Sequence, residues 1–137
     1  MKRLIPILFL LLVVSMALVG CASGGGGNDL LSDIEKRGVL RVSTDPNYEP
    51  QSFLDANGEF TGFDIDVANE IAKRLGVKTE FVTPDWDVIT AGNWAGQWDV
   101  SIGSMTVTTA RQEVLDFASP AYYYTPAQFA AADGSGI

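Results

Sequence analysis

The sequence predicts an α/β fold built on an open, mostly parallel sheet flanked by helices. Short runs rich in β-branched residues at 39–43, 77–82 and 100–103 are separated by helix signals rather than by tight turns alone. Over 64–75 the apolar residues Ile65, Ala68, Ile71, Ala72 and Leu75 recur at the spacing of one helical face. A length of 137 residues accommodates one ordinary domain and excludes two.

In chain order, Lys2 and Arg3 open a nearly unbroken apolar run over 4–19 that ends at Gly20 and Cys21. This is the pattern of a secretory signal, and with Pro6 inside it the run is shorter than the ~20 residues a bilayer span needs. Leu18-Val19-Gly20-Cys21 resembles the bacterial lipobox, which implies cleavage after residue 20, lipidation of Cys21 and anchoring to the membrane outside the cytoplasm. Several acyl chains on one residue give stable anchoring where one would be marginal. The glycines at 24–27 make residues 21–28 a flexible tether. The organisation expected is a signal peptide at 1–20, a tether at 21–28, a folded lobe at 29–132 and a chain end or hinge start at 133–137.

Within the lobe, residues 30–37 read as a short helix with Ile34 inward and Gly38 as its stop. The run 39–43 is the first strand, and Asn57-Gly58 between Phe53-Leu54 and Phe60 is a strong hairpin signal. The helix over 64–75 has Asp64 and Asp66 where its dipole favours anions, Lys73 and Arg74 where it favours cations, and Gly76 to end it. Helix-end electrostatics account for this Asp-x-Asp pair more economically than a metal, so no metal site is expected. Strands follow at 77–82 and 100–103, helices at 87–95 and 110–117, and an extended segment at 122–132. Trp94 and Trp98 are assigned to packing between helix and sheet, and Phe60, Phe63, Phe81 and Phe117 to core or staple positions.

Nine basic residues stand against 17 acidic ones, with no histidine and one cysteine. Removing Lys2 and Arg3 with the leader takes the net charge from −8 to −10. That balance excludes nucleic acid as a partner, because phosphates demand clustered Lys and Arg. Without histidine there is no Ser-His-Asp triad and no His-built zinc site, and a single cysteine closes no internal disulfide. No cofactor and no catalytic residue are assigned.

The segment from Gly103 to Arg111 is the most informative, since a strand ending in a small-residue loop that opens a helix leaves backbone N–H groups free for an anion. With Thr108 as N-cap, Arg111 falls in the first helical turn, where the dipole disfavours a cation. Two explanations stand level on spacing: a ligand carboxylate gripped by the guanidinium with Thr106 and the Ser104 amide donating beside it, or a surface pair with Glu113 or Asp116. A capping box at Thr109 with Gln112 competes for the register. Tyr48 and Trp86 lie at the carboxyl ends of the first two strands, the edge at which open α/β sheets bind ligands. Asp45, directly after the first strand, is a candidate for a cationic ligand group, with capping of the following turn as its competing role.

These motifs together resemble the first lobe of the family 3 bacterial extracellular solute-binding proteins, the polar amino acid receptors of ABC importers. The carriers are Gly38-Val39-Leu40-Arg41-Val42, the stretch from Asn57 to Asp66, Ile71-Ala72-Lys73-Arg74-Leu75-Gly76-Val77, and Gly103-Ser104-Met105-Thr106-Val107-Thr108 with Arg111 and Asp116-Phe117. The resemblance implies a periplasmic-binding-protein-like lobe of type II and the ligand-carboxylate role for Arg111, assisted by Ser104 and Thr106. It further implies that Gly103 helps hold the α-amino group, that Tyr48 and Trp86 flank the ligand side chain, and that an ABC permease is the partner. Gln51, Ala121 and the Asn93-Trp94 and Trp98 region depart from the family pattern. Family members cross to a second lobe and return, and this sequence stops about where the first crossing begins, so an incomplete lobe is expected. A periplasmic dehydratase-like enzyme, a ligand-sensing domain and an inactive truncated fragment are the rival readings.

Overall fold

A computed structural model describes residues 29–136. The expected signal peptide, the lipobox and Cys21 lie outside the described residues. Helix α1 (Leu30–Arg37) belongs to a first unit that ends at Arg37, and Ile34 is its buried residue, as expected. Asp29 starts it, its carboxylate accepting the Ser32 N–H at 2.7 Å.

The unit that begins at Gly38 holds two small sheets. Strand β1 (Val39–Ser43) is central to the first, pairing in parallel with β5 (Lys78–Val82) on one side and with β6 (Val100–Ser101) on the other. The second is an antiparallel ribbon of β2 (Asn47–Tyr48), β3 (Ser52–Leu54) and β4 (Phe60–Thr61), with Leu54 opposite Phe60. The Asn57-Gly58 hairpin forms where the sequence places it. Asp55 organises it, its side chain accepting the N–H groups of Asn57 and Glu59 at 2.8 and 2.9 Å.

Helix α2 (Phe63–Leu75) presents Ile65, Ala68 and Ala72 to the core that also contains Leu40, Val42, Ile89, Trp98 and Ile102. Its ends are closed by different devices. At the C-terminus Gly76 adopts the left-handed conformation, φ 72°, and the N–H of Val77 reaches back to Ala72 O, which satisfies carbonyls the helix leaves open. At the N-terminus Gly62 has no side chain to cap with, and loop carbonyls serve instead. Asp64 N–H donates to Gln51 O at 2.8 Å and Phe63 N–H to Pro50 O at 3.3 Å. That approach is close enough that a Cβ on Gly62 would sit 2.4 Å from Gln51 O.

Helices α3 (Trp86–Thr90) and α4 (Thr109–Gln112) are both shorter than the sequence suggests. Gly92, with φ 73°, ends the first of these stretches, and α4 carries no buried residue that would reward a longer helix. Three expectations are corrected. Phe63 and Ile71 are 44% and 39% exposed rather than buried, because Ile65, Ala68 and Ala72 already fill the inward stripe of α2. The segment 122–132, expected only to be extended, is neither helix nor strand and leaves Tyr124 and Phe129 exposed. Finally, β6 keeps only Val100 and Ser101 of the expected strand. Trp98 is buried as expected, and Trp94 packs on it at 5.4 Å between ring centroids.

An ion pair invisible in the sequence ties β1 to the approach to β6. Asp99, 1% exposed in its side chain, accepts the Arg41 backbone N–H at 2.8 Å and the Arg41 guanidinium at 2.9 Å. Asp99 N–H returns a bond to Arg41 O at 2.9 Å.

Candidate functional site

The chain leaves β1 for β5 on one side and then crosses to β6 on the other, so the sheet has its switch point at the carboxyl end of β1. The loops after the three parallel strands converge there on a cleft of about 530 Å³. All seven residues singled out in the lobe line it: Asp45 and Tyr48 after β1, Trp86 after β5, and Gly103, Ser104, Thr106 and Arg111 after β6. Thr44, Asn47, Asp85, Ser101 and Met105 join them unannounced. Their placement at strand ends was the signal available for finding them.

Arg111 occupies the third position of α4, and Thr108 is the N-cap, its hydroxyl oxygen accepting the Arg111 N–H at 3.3 Å. The capping box on Thr109 is therefore not the register adopted. The guanidinium donates to Thr106 O at 2.8 Å and stands 5.2 Å above the Trp86 ring, within range of a cation–π contact. Among the described residues Arg111 has no ion pair with Glu113, Asp116 or any other carboxylate. Among the described residues its charge is thus compensated only by a carbonyl dipole and a ring face. The Thr106 N–H has no protein acceptor among the described residues.

Tyr48 and Trp86 are each 45% exposed, so two large amphipathic rings stand open at the cleft. Asp45 accepts the Asn47 N–H at 2.8 Å, the turn-capping role that competed with ligand binding in the sequence.

Ser104 departs from expectation. Its amide, expected to donate toward a ligand carboxylate, donates to Tyr122 Oη at 2.9 Å, and its hydroxyl donates to Asp64 Oδ1 at 2.7 Å. Tyr122 in turn donates to the same Asp64 oxygen at 2.9 Å. Ser104 holds a left-handed conformation, φ 52°, uncommon for a residue with a side chain. Burial pushes the Asp64 carboxyl above its ordinary pKa, against the lowering effect of the two hydroxyls. It also pushes the Tyr122 phenol up to about 12. Sequence reasoning placed Asp64 at a helix dipole and gave Tyr122 no role, because the two partners lie 58 residues apart.

An open parallel sheet with helices against it and a cleft at its switch point defines the class, a periplasmic-binding-protein-like lobe. The chain belongs to the bacterial extracellular solute-binding proteins, family 3, whose pattern its residues 40–137 match. It is 35% identical to the L-cystine-binding protein TcyA of Bacillus subtilis (strain 168), over 86% of this chain and 47% of that protein. Thus it spans about half the length of that curated relative. Among solved structures it is similar to the arginine-bound form of domain 1 from TmArgBP, with 39% identity and a TM-score of 0.61 over 64% of this chain and 70% of that one. It is also similar to the ancestral amino acid-binding protein AncCDT-1, described as a precursor of cyclohexadienyl dehydratase. The match has 50% identity and a TM-score of 0.63 over 66% of this chain and 40% of that one.

Proposed function

We propose that this lobe binds an amino acid or similar small zwitterion as the extracytoplasmic substrate-binding component of an ABC importer, with Arg111 gripping the ligand's α-carboxylate. The observation that carries the reading is Arg111 itself, a cation in a first helical turn, facing the cleft without a carboxylate partner among the described residues. A ligand carboxylate supplies the missing charge, and the free Thr106 N–H offers a second donor beside the guanidinium. Tyr48 and Trp86 cover the apolar part of the ligand, and Asp45 and Asp85 line the same cleft, which favours a neutral or cationic side chain over an acidic one. The arginine-bound domain 1 of TmArgBP and the ancestral amino acid-binding protein AncCDT-1 support the ligand class. The proposed role is binding, and one oxygen of the Asp45 carboxylate is engaged as a turn cap.

Calorimetric titration of L-arginine and L-cystine into the protein and into Arg111→Ala tests this. Loss of a charge-assisted pair in a cleft open to water should cost about 2 kcal/mol, roughly thirtyfold in affinity. Unchanged affinity would overturn the carboxylate role.

The same proposal places the protein on the membrane surface through lipidated Cys21, on the strength of the lipobox-like leader. Radiolabelled palmitate should enter the protein and not Cys21→Ala, and equal labelling would remove the anchor.

A further inference from the structure

Asp64 is fully buried, and its Oδ1 collects two hydroxyl hydrogens, one from Ser104 and one from Tyr122. A carboxylate oxygen only accepts, so the direction of both bonds is fixed, and the Tyr122 oxygen is left to accept the Ser104 N–H. Serine has two hydrogens to donate, one on its backbone nitrogen and one on its hydroxyl. Both are committed inside the protein, and Ser104, which lines the cleft, retains only oxygen lone pairs. The result is the same whether Asp64 is ionised or carries a proton on Oδ2, an atom that is buried and without a partner, because Oδ1 accepts in either form.

We propose that Asp64 is a positioning residue that sets the hydrogen-bond polarity of the cleft, turning Ser104 into an acceptor that selects an N–H donor of the ligand such as an α-ammonium group. This rests on the reading that the cleft takes an amino acid. It reverses the donor role that the sequence suggested for the Ser104 amide, and it leaves carboxylate recognition to Arg111 and Thr106. The chain of bonds from Ser104 N–H through Tyr122 Oη to Asp64 is continuous, so each member fixes the orientation of the next.

The test compares L-arginine with desamino-arginine, the same molecule without its α-amino group, by calorimetry. The protein, Asp64→Asn, Asp64→Leu and Tyr122→Phe are titrated side by side. Asn keeps an oxygen that accepts both hydroxyls, so Asp64→Asn should hold the preference for L-arginine to within about twofold. Asp64→Leu and Tyr122→Phe each return a hydrogen to Ser104 and should cut that preference about tenfold, the size of one hydrogen bond to a charged group. A residue that merely supported the fold would weaken both compounds alike and leave their ratio unchanged. An unchanged ratio in Tyr122→Phe, which alters a half-exposed ring and tests the proposal even if Asp64→Leu does not fold, overturns it. If the parent protein takes up neither compound, nor L-cystine, nor any other neutral or cationic L-amino acid titrated beside them, the amino acid reading itself fails. Amide exchange at Ser104 then decides the polarity separately: slow in the parent and Asp64→Asn but fast in Tyr122→Phe supports it, and equal rates in all three overturn it.

Discussion

Asp99→Ala is expected to destabilise the central sheet by breaking its one cross-strand ion pair among the described residues. It removes the acceptor of the Arg41 backbone N–H, and leaving a donor unpaired costs about 1–3 kcal/mol. It also strands the Arg41 guanidinium, whose Nε is already buried without a partner. Breaking a buried ion pair from one side costs about 3–5 kcal/mol, but the Arg41 side chain is 27% exposed and can turn its charge to water, so the lower end applies. The two losses share one group and do not add, which gives a net cost of about 3 kcal/mol. At about 4 °C per kcal/mol that lowers Tm by roughly 12 °C. Urea unfolding followed by tryptophan fluorescence reads the change, and Arg41→Met serves as the complement because it keeps the backbone bond while deleting the charge. Asp99→Ala within about 0.5 kcal/mol of the parent, the range of an ordinary surface substitution, would refute the reasoning.

Two further outcomes follow from backbone geometry and from titration. Gly92→Ala forces a side chain into the left-handed region at φ 73° and places its Cβ 2.4 Å from Val114 O, whereas Gly96→Ala, at φ 70°, meets nothing within 4 Å. Both should lose about 1 kcal/mol to strain, and only Gly92→Ala should lose substantially more in thermal melts, so equal losses would deny the close approach. Because burial raises the Asp64 carboxyl above its ordinary 3.8, the folded protein holds this proton more tightly than the unfolded chain does. Stability from this group is therefore full below about pH 3.8 and lost as pH rises through the raised folded value. The stability of Asp64→Asn relative to the parent should consequently increase from pH 4 to pH 7, and a difference independent of pH would contradict it.

The sequence by itself determined what depends on neighbours a few residues away. Helix α2 was legible because Ile65, Ala68 and Ala72 repeat with the helical period and Gly76 supplies a left-handed stop, both of which are local demands of the backbone. The Asn57-Gly58 hairpin and the Thr108 cap rest on equally short-range chemistry. Placing Tyr48, Trp86 and the segment from Gly103 to Arg111 at strand ends was enough to collect one cleft, because parallel strands bring their carboxyl ends to one edge. The tertiary structure alone decided the partners. Arg41 meets Asp99 and Asp64 meets Tyr122 across 58 residues, and Ser104 meets Asp64 across 40. No local period encodes such pairs, since they are fixed by the path of the chain through the sheet and by the cost of leaving a buried polar group unpaired. The same path decided that Phe63 faces outward and that residues 122–132 pair with no strand, for an apolar or extended pattern specifies a preference and only a neighbouring surface can satisfy it.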